Sequence, residues 1–102
     1  MSTPITAAPT AYTVALDLTG APTVPMRYSR VPGRMFQPFH VVLTYRRPLS
    51  GNDWQVSASL YGWLCRKDGS AGEQRTGDSL SRAEFPEWLS ALAGEHHPAG
   101  AR

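Results

Sequence analysis

Apolar and polar side chains alternate with a period of two along most of the chain. That is the pattern of strands with one face buried and one exposed. Tyr12, Val14, Leu16 and Leu18 alternate with Thr13, Ala15, Asp17 and Thr19, and Gly20-Ala21-Pro22 supplies the turn that ends this first strand. Val24, Met26 and Tyr28 continue the alternation, with Pro25 placing this segment at a sheet edge or a bulge because proline has no N–H for the ladder. Val31-Pro32-Gly33-Arg34 is a second turn. A third strand follows, with Phe39, Val41, Leu43 and Tyr45 on one face and His40, Val42, Thr44 and Arg46 on the other.

Residues 48–53 are polar and rich in turn formers, which reads as a hairpin loop. The longest strand comes next. Trp54, Val56, Ala58, Leu60 and Leu64 share one face, and Gln55, Ser57, Ser59, Tyr61, Trp63 and Cys65 share the other. Gly62 interrupts the apolar face and marks a bulge or a close approach of another element. Lys67-Asp68-Gly69-Ser70 signals another turn, and Glu73–Thr76 reads as a short polar edge strand.

After Gly77 the period changes. Phe85, Trp88, Leu89 and Leu92 fall at helical spacing. Ser81 and Glu84 fit a capping box, which opens a helical turn at Arg82, yet Pro86 inside a helix would remove a backbone bond and clash. The main helix is therefore expected at Pro86–Ala93, with a looser turn before it and Gly94 ending it. The elements add up to an α+β domain: an antiparallel four- to five-stranded β-meander with one short C-terminal helix packed on one face. Residues 1–11 read as a flexible leader, 12–93 as the single domain and 94–102 as a flexible tail.

Composition removes several classes. The first eleven residues carry no basic side chain and no apolar run, unlike a secretory signal, and no stretch approaches the ~20 apolar residues of a membrane helix. The lone Cys65 leaves no internal disulfide, which suits a reducing cytoplasm. Phosphate-loop, dinucleotide, nucleophile-elbow and zinc-protease motifs are all missing, and Asp68–Gly72 lacks the lysine and helix of a phosphate loop. Cys65 and His40 would make a nucleophile and base only if adjacent strands brought them together. His96 and His97 lack the further ligands of a metal site and read as part of the tail. The expectation is a non-enzymatic protein with no cofactor and no metal.

Charge is uneven. Residues 1–52 hold one acid, Asp17, against Arg27, Arg30, Arg34, Arg46 and Arg47, whereas residues 53–102 hold seven acids and five bases, giving +4 and −2 and the overall +2. Arginines interleaved with aromatic rings suit nucleic acid, since guanidinium groups hold phosphates while rings stack on bases. Solubility and pairing with the acidic half explain the same arginines, as does the coding bias of a GC-rich genome, with nine Arg to one Lys. Tyr61 and Trp63 are the sharper signal. One helix cannot cover both faces of this sheet, so apolar surface remains for a partner. Depending on where the helix sits, Tyr61 and Trp63 are either exposed or core. The reading is a small cytoplasmic interaction module, binding a protein partner or a second copy of itself through Tyr61, Trp63 and Arg46. The alternative is a nucleic-acid-binding accessory protein using the five arginines of 27–47.

Overall fold

A computed structural model describes residues 11–27, 33–47 and 53–98 of the 102. Tyr28 and Arg30, the first half of the second turn and loop residues 48–52 lie outside the described residues. Five strands form one antiparallel sheet: β1 (Ala11–Asp17), β2 (Val24–Pro25), β3 (Met35–Arg46), β4 (Gln55–Cys65) and β5 (Ala71–Ser81). A 3-10 turn (Arg82–Glu84) and helix α1 (Glu87–Glu95) follow. The sheet order is β1-β3-β4-β5, and β2 pairs with the start of β3 beyond the end of β1. The expected α+β meander with a C-terminal helix is the observed fold.

The core follows from the alternation. Val41, Leu43 and Tyr45 of β3, Val56, Ala58 and Leu60 of β4, and Leu80 of β5 point to one side, where Leu89 and Ala93 of α1 cover them. Trp54 packs at the margin of this cluster, so the helix covers the Trp54–Leu60 face and not the face of Tyr61 and Trp63. Two tyrosines fasten the end of the helix, whose last carbonyls have no partner within it. The Tyr45 hydroxyl donates to the Ala93 carbonyl at 2.6 Å, and the Tyr12 hydroxyl donates to the His96 carbonyl at 2.9 Å. Their rings stack with centroids 5.1 Å apart, and His97 meets Tyr45 edge-on at 5.8 Å. The segment after Gly94 is thus tied to the sheet as far as His97, because these orphan carbonyls draw phenol donors.

The sequence expectation differs from the structure in four places. In β3, Phe36 and Pro38 face the core, and a bulge between Pro38 and His40 then shifts the register by one residue. Phe39 is the extra residue, so it stands on the outer face, not beside Val41. The second strand shrinks to two residues. The polar edge strand is longer than four residues: β5 pairs with β4 along most of its length. Finally, Pro86 caps the helix from outside, which runs past Gly94 to Glu95, while the Ser81–Glu84 capping box opens the separate 3-10 turn. Gly62 marks a close approach, as expected: a β-carbon there would lie 2.8 Å from the Phe36 ring and against the Gln37 carbonyl.

The sheet is strongly coiled. Although β2 lies on the far side of β3 from β4, Met26 and Arg27 reach β5. The Thr76 hydroxyl approaches the Met26 sulfur at 3.7 Å. Arg27 donates to the Ser79 carbonyl at 2.6 Å, pairs with Asp78 at 3.3 Å and also pairs with Glu84. Bulges sharpen the twist of a sheet, and with extra residues in β3 against β4 and in β5 against β4 this one curls until β2 and β5 meet across the core. Arg27 closes that seam.

Candidate functional site

The outer, convex face of the sheet has two regions, set by the pairing register. Along one end the rows are Thr13–Thr44–Ser57–Ser81 and Ala15–Val42–Ser59–Ser79. These side chains are short and make a smooth surface. At the other end the rows are Asp17–His40–Tyr61–Gly77 and Gln37–Trp63–Arg75, with the bulged Phe39 between them. The aromatic side chains of the face collect there, while a further row, Ala11–Arg46–Gln55, lies at the far end.

The bulge brings the cluster together. It turns Phe39 outward against Trp63, with ring centroids 5.2 Å apart, and sets His40 beside Tyr61 at 6.1 Å. The Arg75 guanidinium lies over both Trp63 and Phe39, at 5.4 and 5.9 Å from their centroids. The side chain of Gln37 turns away to donate to the Ala21 carbonyl. Gly77 leaves room beside the Tyr61 ring, which is 45% exposed and the one large apolar side chain so exposed among the described residues. Phe39, His40, Tyr61, Arg75 and Thr76 line a shallow, mostly apolar recess of about 290 Å³. One rim is polar, where His40 Nδ1 lies 2.9 Å from Asp17 Oδ1.

Of the residues singled out from sequence, Tyr61 and Trp63 stand together here, the first exposed and the second half-buried under Arg75. Arg46 shares the face but sits at its other end, opposite Gln55. Arg75 and Phe39 were not foreseen. The β4–β5 register puts Arg75 opposite Trp63, and only the bulge exposes Phe39.

The arginines of 27–47 are dispersed. Arg27 closes the seam, and Arg34 donates to the Cys65 carbonyl at 3.0 Å. Arg47 covers the Trp54 ring at 5.3 Å, while Arg46 points to the outer face and Arg30 lies outside the described residues. The structure does not gather the four described arginines on one surface.

Cys65 and His40 also stay apart. His40 is opposite Tyr61, four residues along β4 from Cys65, and the thiol is 2% exposed. That spacing is on the order of 13 Å along a strand, too far for a shared proton. Among the described residues no group of three His, Cys, Asp or Glu side chains is placed to hold a metal ion, and no helix is long and apolar enough to cross a membrane. The cluster offers aromatic faces, one guanidinium and an Asp–His pair at a surface recess. Such a set can bind and orient a partner. No known protein family matches the chain, and no curated protein or solved structure compared with it matches either.

Proposed function

We propose that this protein is a small non-enzymatic binding module that takes a partner protein on the outer face of its sheet, at the Phe39–Tyr61–Trp63–Arg75 cluster. The observation that carries the reading is the exposed Tyr61 ring beside an arginine already stacked on two aromatic rings. Tyr, Trp and Arg are the side chains most enriched at the energetic centres of protein interfaces. Here they are held by β3, β4 and β5, so little conformational freedom is lost on binding. The buried, unpaired thiol of Cys65 suits a reducing compartment such as the cytoplasm.

The test is a photo-crosslinking amino acid placed at position 61, with Arg82 on the 3-10 turn as a control position, in cells that make the protein. Adducts of one protein species from position 61 and none from position 82 are the expected result. Nucleic-acid adducts from position 61 would favour the alternative of a nucleic-acid-binding accessory protein. The same adducts from both positions, or none from either, would overturn the assignment of the site.

A further inference from the structure

The two edges of the sheet are treated differently. Along β5 the residues include Glu73, Arg75 and Asp78, and the Arg27 side chain bonds to the Ser79 carbonyl. Such charges and covers are what keep edge strands from pairing with another chain. β1 carries a charge only at its last residue, Asp17: from Ala11 to Leu16 it has no charge and no proline. The ladder phase follows from the Leu18 N–H, which donates to the Phe39 carbonyl at 2.9 Å. By the alternation of antiparallel pairs, Tyr12, Val14 and Leu16 bond to β3, and Ala11, Thr13, Ala15 and Asp17 turn their backbone groups outward. Among the described residues nothing pairs with that row.

We propose that β1 pairs with β1 of a second copy, joining two sheets into one across a two-fold axis at Val14, and that each copy then supplies Arg46 to the other's Asp17–His40–Tyr61 row. A two-fold axis at Val14 overlaps all seven residues of β1. It sets the outward backbone groups against each other in the parity that antiparallel pairing requires: Ala11 against Asp17 and Thr13 against Ala15 of the other copy. On the helix side it sets half-buried Tyr12, Val14 and Leu16 against Leu16, Val14 and Tyr12 of the other copy, covering the apolar flank that α1 leaves open. On the outer face no two acids meet.

Charge complementarity selects the occupant. Arg46 is paired with Ala11 in the β1–β3 ladder, so in this register the row reads Arg46, Ala11, then Asp17 of the second copy. Arg46 and that Asp17 are two strand spacings apart, about 10 Å between α-carbons, and only a methyl group stands between them. The two side chains together span that distance. Asp17 is 93% exposed and bonded only to His40, and no ion pair among the described residues engages Arg46. The pairing gives Arg46 an ion-pair partner and Asp17 a second contact beside His40, by symmetry twice per dimer. It stands independently of the partner protein inferred for the outer face.

Sedimentation equilibrium of the full chain, carried into the millimolar range, tests this. The native protein is expected to dimerise, and Ala15→Pro to abolish the dimer with an unchanged circular dichroism spectrum, because the lost N–H points away from β3. Arg46→Glu and Asp17→Lys are each expected to weaken the dimer by about tenfold, and the two together to restore it. Should Ala15→Pro fail to fold, amide exchange of the native chain decides: Thr13 and Ala15 are protected at high concentration and exposed on dilution. A monomer at every concentration, or a dimer indifferent to these changes and without that protection, overturns the proposal.

Discussion

Tyr45→Phe removes one oxygen atom from the centre of the fold and should be felt in two ways. The Tyr45 side chain is fully buried, and its hydroxyl donates to the Ala93 carbonyl, one of the last four of α1. Without the hydroxyl that carbonyl is stranded in the interior, which costs about 1–2 kcal/mol at neutral pH. The second effect depends on pH. Burial, and then the neighbouring Tyr12, push the Tyr45 pKa from 10.0 up to about 12. The folded state therefore favours the neutral phenol. The stability this gives is complete below pH 10, where both states hold the proton, and is lost as pH rises through 12. Two units correspond to roughly 2–3 kcal/mol, about half of it gone by pH 11. The phenyl ring of the variant has nothing to titrate. Urea unfolding followed by tryptophan fluorescence should show the native protein ahead by about 1–2 kcal/mol at pH 7 and level with the variant near pH 11. An equal gap at both pH values would refute the buried, bonded phenol.

Three other outcomes are expected. Gly62→Ala, whose methyl would meet the Gln37 carbonyl and the Phe36 ring, should cost about 3 kcal/mol or more in thermal or urea unfolding, and a neutral result would mean that β3 and β4 are not so closely apposed there. Arg27→Met keeps the stem but leaves Asp78, whose side chain is only 7% exposed, without its cation; a loss of about 1–3 kcal/mol in urea unfolding is expected, and unchanged stability would sink the seam. Cys65 should react with a thiol reagent only as fast as the protein opens, so immediate stoichiometric labelling of the native state would contradict its burial.

The strands β1 and β4 and the end of β3 were legible because one face of each is buried and the other is not, which writes a period of two into the residue types. The bulge was not legible. Nothing local in Gln37-Pro38-Phe39-His40 announces one extra residue; it follows from how β3 must meet β4, and it decides which face receives Phe39. β5 escaped for a different reason. Gly72, Thr76, Gly77 and Asp78 occupy positions where an isolated strand would show alternation: the two glycines lie against the Leu64 carbonyl and the Tyr61 ring, and Thr76 and Asp78 meet Met26 and Arg27 across the seam. Half of the candidate site was therefore visible in Tyr61 and Trp63. The other half, Phe39 and Arg75, depends on register between segments far apart in sequence.

The bond from Tyr12 to His96 spans 84 residues, and it has a consequence for synthesis on the ribosome. The β3–β4 and β4–β5 hairpins involve near neighbours and can form as they emerge. Their inner surface, with Val41, Leu43, Val56 and Leu60, has no cover until the last helix has been made. During that interval the nascent chain presents a strip of aliphatic side chains and, in β1, a strand whose only fastening partner at the helix end does not yet exist. Such exposed surface is what chaperones hold and what drives premature association. For this fold the vulnerable period lasts until α1 and His96 are available to the sheet, so truncations that remove His96 should raise aggregation out of proportion to the few atoms they remove.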